Sequence, residues 1–463
     1  MLEISVIAYI IITIAVGILA SLKIKNAVDF INAGRNLHPV LNTAALFALW
    51  YGSETIFGAS AEFAKHGARG VIEDPLGGVL CLLLTGLFFA RRLYRLNMLT
   101  IGDLFRRQYG AGTELISSLL MVLSFIGYAS AQMVALGILS QILFNISFLQ
   151  GMMLSSCVVV LYTFIGGMWA VSLTDFIQSS VIIAGLLTIS YYVTGMTGNV
   201  GNVIASISPD HWKFFPENSV TEWINWFSAW LVLGFGSIAS QDIFQRVNSA
   251  RSENAAFYST LAGAGLYLLF SILPLYLISA IKIINPGLLE GDIQKALPQM
   301  VIQTMPVLVQ ILFFGSLLSA IMSTCSGALL APASLLSENL FKPLLGEKLS
   351  DKRFLWLTRS SVLLVGLLSF LLALSSQSIF ELVGEASVIG LVTIFIPLVA
   401  ALFFNHTNTT AALISMTGGF IVYLVFRFLI STDIEPLVPG FLASFIGIWF
   451  PSKPFSKRKR GVA

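Results

Sequence analysis

Charge is the scarcest property of this chain. Asp, Glu, Lys and Arg make up 11% of its 463 residues, against about a quarter in a soluble domain, and that shortage excludes a soluble globular protein. Cysteine is nearly absent. Cys81, Cys157 and Cys325 lie singly in apolar runs, and so scattered an odd set supports neither a disulfide framework nor a zinc site. They read as small core residues. The four histidines, His38, His66, His211 and His406, stand in or near loops, and no two are at metal-ligand spacing. No phosphate-cradling glycine loop occurs, so ATP-driven pumping has no motif behind it. No paired acid and base or metal motif falls inside the apolar runs, which argues against an enzyme.

What is abundant is apolar surface, at 56% of residues with 38 Gly and 35 Phe. That is more than one core can bury, so lipid must be the solvent. A hydrocarbon slab about 30 Å thick takes roughly 20 apolar residues per helix, and the hydropathy predicts an all-α integral membrane protein of about thirteen spans. A leading span lies near 4–22. Ten core helices, numbered one to ten here, follow near 39–62, 71–93, 114–143, 148–168, 174–195, 222–246, 256–281, 304–333, 356–376 and 379–404, and two trailing spans near 409–430 and 435–450. The N-terminal run has no basic stretch before it and no small-residue cleavage site, so it reads as a retained span. Three parts are expected: 1–38, a leading helix and its loop; 39–404, a core; and 405–463, the trailing helices and a basic tail.

The few charges orient the chain. Twenty of the 26 Lys and Arg fall in loops that share one side, among them Lys23, Arg91, Arg106, Arg246, Lys352 and the KRKR of the tail. Five fall on the other side, at Lys65, Arg69, Lys213, Lys282 and Lys295, and Arg427 lies in a span. The positive-inside rule then predicts an outside N-terminus and a cytoplasmic C-terminus in the plasma or inner membrane. The tail reads as an anchor for anionic headgroups rather than a nucleic-acid patch. No obligate protein partner is indicated.

Two spans are interrupted at membrane depth. Core helix one carries Gly52, Ser53, Glu54 and Thr55 in its middle, and core helix six carries Gly234, Gly236, Ser237 and Ser240. Unwound backbone in a bilayer survives only where protein or a wet cavity surrounds it. Broken helices five apart are what two inverted five-helix repeats leave in a sequence, here about 39–195 and 222–404, with the binding site between them. A stripe for close helix packing is the other reading. A carboxylate such as Glu54 near the bilayer centre costs at least about 2.5 kcal/mol, which favours a cavity. Core helix eight presents Gly315, Ser316, Ser319, Ala320, Ser323, Ser326 and Gly327 along one face. Its hydroxyls are hard ligands suited to sodium, or again a packing face. Asp175, opening core helix five, reads first as an N-terminal acid answering the helix dipole at the membrane surface, and alternatively as a carboxylate on the ion path.

Four blocks then converge on one family. DFINAGR before core helix one, GGMWAVSLTDFIQ between core helices four and five, SQDIFQRVNSARS after core helix six and LSAIMSTCSGALL in core helix eight together resemble the sodium:solute symporter family, in its order and spacing. The resemblance implies a leucine-transporter-type fold of two inverted repeats, working by alternating access. It implies sodium at the crossing of core helices one and eight, held by carbonyls of Ala48, Tyr51 and Ala320 and hydroxyls of Ser323 and Thr324. A second sodium would use Asp175, Ser323 and Ser326, although Gly327 stands where a further serine would help. For the solute it implies Trp50, Glu54, Thr55 and Tyr128, with Gly236 and Ser240 at the second break. Thr55 replaces the amide of sugar-transporting members. Gly78 and Ser240 replace two ring positions of the choline branch, which encloses its ligand by cation–π attraction. Trp226 and Trp230 read as interfacial belt residues rather than stacking partners.

The expected function is therefore sodium-coupled symport of a small organic solute, an amino acid, sugar, carboxylate or amine. A proton-coupled carrier with Glu54 or Asp175 as the proton site, or a sensor or channel on the same fold, is the alternative.

Overall fold

The computed structural model describes residues 2–217, 219–346, 349–375, 378–404 and 408–449. The basic tail, Lys348 and His406 lie outside the described residues. Among those described, no strand forms, and one isolated bridge pairs Leu37 with Ala250. Among the described residues, nine helices are long and apolar enough to span a bilayer, ten if the bent pair Val220–Ala239 and Gln241–Ser249 counts as one span, and Pro39–Trp50 and Leu437–Trp449 are shorter apolar helices.

Neighbouring spans that follow without a loop account for part of the difference from thirteen: core helices four and five both lie within Phe148–Thr197 and are divided at Gly167, where the backbone is not helical. There φ is +50° and ψ −157°, and an added Cβ would lie 2.5 Å from the Phe30 ring and 2.6 Å from its carbonyl oxygen. Only glycine fits such a turn. Core helix two likewise follows core helix one closely within Glu54–Arg95, divided from it at Asp74, where φ is −138° and ψ 130°.

Both interruptions lie where the glycines foretold. Core helix one ends at Trp50, passes through Tyr51 at φ −91° and ψ 67°, and resumes as Glu54–Gly58 and Ala59–His66. Core helix six runs Val220–Gly236, turns through Ser237–Ala239 and an extended Ser240, and resumes as Gln241–Ser249 at 53° to its first half.

Core helix eight, Val307–Leu335, is the centre of the molecule. Every residue from Phe313 to Leu335 is buried, as a helix that is apolar or small on all sides must be. Peripheral helices turn residues such as Ile4, Leu154 and Leu367 outward, which suits a lipid-facing belt. Cys81 and Cys325 are core residues as expected, but Cys157 is exposed. It lies on the outer face of core helix four, where a small apolar side chain meets lipid as well as it meets protein.

Candidate ion and solute site

The break in core helix one meets the hydroxyl face of core helix eight. Thr324 Oγ1 donates to the carbonyls of Ala48 at 3.1 Å and Leu49 at 3.3 Å. Ser323 Oγ lies 3.5 Å from the Ala48 oxygen and donates to Asp175. Ala320 is buried one turn before Thr324. Tyr51 closes the first half of core helix one, and its phenol donates to the Phe270 carbonyl at 3.0 Å. These are hard oxygens from two elements that no local hydrogen-bond pattern joins.

Glu54 stands between this cluster and a cavity. Tyr128 donates to one carboxylate oxygen at 3.0 Å and Gln132 to the other at 2.8 Å. The side chain folds back over Gly52. A methyl group there would lie 2.6 and 2.9 Å from the two Glu54 oxygens and 2.8 Å from Thr324 Oγ1, so glycine is what lets the acid approach the helix-eight hydroxyl.

The surroundings of Asp175 correct its first reading. It is fully buried rather than at a membrane surface, because core helix five sets off inside the protein directly after the turn at Gly167. Arg246 is corrected with it: instead of a cytoplasmic loop it occupies the interior at 1% exposure, in the second half of core helix six, whose residues Gln241–Ser249 are all buried. Its guanidinium lies 3.5 Å from Asp175, donates to the Ala45 carbonyl at 3.0 Å and lies 3.5 Å from the Asp242 carbonyl oxygen. A Cβ on Gly327 would sit 2.9 Å from that guanidinium. Thus glycine at 327 makes room for arginine. Ser326, the remaining residue of the second-sodium set, donates back to the Ser323 carbonyl at 2.8 Å.

A cavity opens between the two breaks, lined by Trp50, Glu54, Phe125, Tyr128, Gly236, Ser240 and Asp242 among others. It measures about 60 Å³ at the centres of water-sized spheres, several times the ~10–15 Å³ that one water needs. Five of the six solute residues expected from sequence line it. Thr55 does not. Its hydroxyl points the other way, to the Trp50 carbonyl at 3.1 Å, Asp74 at 3.2 Å and Tyr267 at 2.8 Å. Gly78, where a ring was expected, accommodates one instead, since a Cβ there would lie 2.8 Å from the Trp50 ring. Trp226 and Trp230 stay outside the cavity lining and pack with Phe214.

Sequence reasoning missed Asp74, Gln132, Asp242 and Arg246. The signal was available, since all four are polar residues inside or beside spans, but Asp242 and Arg246 were read as following the helix rather than continuing it past its break.

The sequence profile of the sodium:solute symporter family matches residues 30–419. High-affinity choline transporter 1 of Caenorhabditis elegans is 27% identical over 91% of this chain and 77% of its own length. The high-affinity proline transporter PutP of Bacillus subtilis is 28% identical over 94% of both. A sodium-coupled sialic acid symporter, solved in a substrate-bound outward-open state, superposes with a TM-score of 0.85 at 20% identity over 98% of both chains, which shows the fold. This multi-pass membrane protein, with its helix-one break facing helix-eight hydroxyls, belongs to the sodium:solute symporter family and couples sodium to the transport of a small solute.

Proposed function

We propose that this symporter takes up a solute bearing a positively charged nitrogen, an amine or an amino acid, with one sodium ion per cycle. The observation that carries the reading is the cavity's charge. Glu54 and Asp242 line it, and no Lys or Arg is among the lining residues. A free carboxylate solute would meet like charge there, whereas an ammonium group would meet two acids. The faces of Trp50, Phe125 and Tyr128 add cation–π attraction, and the buried Trp50 Nε1–H, which has no partner among the described residues, suits an acceptor on the solute. Choline and proline, named for two of the relatives, both carry such a nitrogen.

Sodium binds the carbonyls of Ala48, Tyr51 and Ala320 and the hydroxyls of Ser323 and Thr324, tying core helix one to core helix eight. Glu54, within reach of both cavity and Thr324, links ion to solute. Arg246 stands beside Asp175 as a fixed cation in place of a second sodium. The Lys and Arg distribution supports an outside N-terminus and inward transport. Residues 39–404 are the working core, with repeats at about 39–195 and 222–404.

A thermal-shift panel of choline, proline, glucose and lactate, each with sodium or potassium chloride, tests the solute class. Stabilisation by choline or proline in sodium alone is expected, following RT ln(1 + [L]/Kd). Glucose or lactate stabilising while both nitrogen compounds fail would overturn it.

A further inference from the structure

The interior holds more acid than base. Among the described residues, the fully buried charged side chains are Glu54, Asp74, Glu114, Asp175, Asp242 and Arg246. Glu114 has Arg106 at 3.7 Å, Asp175 has Arg246 at 3.5 Å, and the Asp242 carboxylate accepts from the Ser240 hydroxyl at 2.5 Å and the Ile243 backbone N–H at 2.7 Å, with the Arg246 charge nearby. Glu54 faces the ion and solute. Asp74, 1% exposed, is left with no Lys, Arg or His within ion-pair distance among the described residues. A bare buried carboxylate is costly in an apolar medium, so something else must neutralise it.

The oxygen geometry identifies what. Four contacts join Asp74, Thr55, Tyr267 and the Trp50 carbonyl: Tyr267 to Asp74 at 2.6 Å, Tyr267 to Thr55 at 2.8 Å, Thr55 to the Trp50 oxygen at 3.1 Å and Thr55 to Asp74 at 3.2 Å. With Asp74 ionised, only two hydrogens are available, one on each hydroxyl. Tyr267 then donates to Asp74 and Thr55 to one of Tyr267, Asp74 or the Trp50 carbonyl, so at least two of the four contacts hold no hydrogen. One added proton resolves this. Asp74 donates to Tyr267, Tyr267 to Thr55 and Thr55 to the Trp50 carbonyl, which places a hydrogen in each of the three shortest contacts. An octahedral metal site does not fit, since oxygens about 2.4 Å from a calcium-sized cation, which sodium matches in size, lie about 3.4 Å from one another at neighbouring corners, wider than any of the four contacts.

We propose that Asp74 is a proton-binding site, separate from the sodium and solute sites. The bound proton makes the carboxyl neutral and completes a relay that ends on the Trp50 carbonyl freed by the helix-one break. The relay ties three elements together: the break, the turn that opens core helix two and core helix seven, which carries Tyr267. When the break opens, Thr55 and the Trp50 carbonyl leave Asp74, and the acid exchanges its proton with cavity water. The titratable groups facing Asp74 are Tyr267 on core helix seven, Glu54 and Tyr51 at the break, Tyr128 on core helix three and Glu73 beside it. From core helix six, packed on the same turn, the single titratable residue of Val220–Gly236 is Glu222 in its first turn, and Cys81 is that of Gly78–Leu84. Arg69, in the turn before, donates to the Phe215 carbonyl.

Infrared difference spectroscopy of the full chain in liposomes at neutral pH tests this without any solute. Wild type should show a protonated-carboxyl C=O band that moves on exchange into D₂O, is missing in Asp74→Asn and persists in Glu54→Gln. A carboxylate band removed by Asp74→Asn in place of the acid band would overturn the proposal. Tyr267→Phe keeps the ring and removes one hydrogen-bond partner. It should shift the acid band, and an unmoved acid region would overturn the proposal even where Asp74→Asn fails to fold.

Discussion

Glu54 and Arg246 divide the interior chemistry between binding and support. Glu54 accepts from Tyr128 and Gln132 and overlooks Gly52, so Glu54→Gln keeps most of the shape and removes the charge. It should weaken choline or proline binding by about tenfold or more, about 1.4 kcal/mol, and weaken sodium binding less. Isothermal titration showing the reverse order would move Glu54 into the ion site. Among the described residues, Arg246 is the sole buried base beside Asp175 and the Asp242 backbone. Removing one partner of such a pair leaves an uncompensated charge, at about 3–5 kcal/mol. Arg246→Ala should therefore lower the detergent-solution melting temperature, and adding Asp175→Asn should recover part of the loss. A double variant no more stable than Arg246→Ala would show that charge is not the cause. Glu54 was legible in the sequence because a carboxylate inside an apolar run has few structural excuses. Arg246 was not, because an arginine just past a span looks like any positive-inside residue until the helix is seen to continue.

Helix breaks were the most legible feature at the level of elements. Glycine with serine at membrane depth marks where backbone leaves the helix, and both breaks fall at or next to the residues that signal them. The kink at Gly167 was less so, because hydropathy separates core helices four and five without revealing that a single non-helical glycine divides them. Its dihedral angles and the overlying Phe30 make a sharp prediction. Gly167→Ala should cost about 1–3 kcal/mol of strain, read as lower thermal stability, with a further loss as Phe30 is displaced. Unchanged stability would mean the kink relaxes freely. The facing of Thr55 away from the cavity was not legible either. A one-dimensional motif gives its place after the break, but the tight wide-turn segment Glu54–Gly58 rotates it toward Asp74.

Taken whole, the molecule is a membrane scaffold in which buried acids outnumber buried bases among the described residues, and the proposed cationic solute follows from that excess. Each charge moving inward through 100 mV contributes about 2.3 kcal/mol, roughly a fiftyfold gradient. Choline with one sodium moves two charges and proline with one sodium moves one. In proteoliposomes, accumulation of choline should therefore respond about twice as steeply, on a logarithmic scale, to an imposed inside-negative potential. Equal slopes would mean a different sodium count for the two solutes or a neutralising counter-movement. Fold class and coupling ion were both readable before any coordinates, since apolar excess and a few spaced blocks specify them. The pairing of Asp74 with Tyr267 was not, because residues 193 apart in sequence meet only through the packing of core helix seven on core helix two. The most direct test of the account is the sodium dependence of choline and proline uptake by proteoliposomes holding wild type or Ser323→Ala with Thr324→Ala. The account predicts that the double variant needs at least about ten times more sodium for half-maximal uptake, about 1.4 kcal/mol. An unchanged sodium dependence would contradict it.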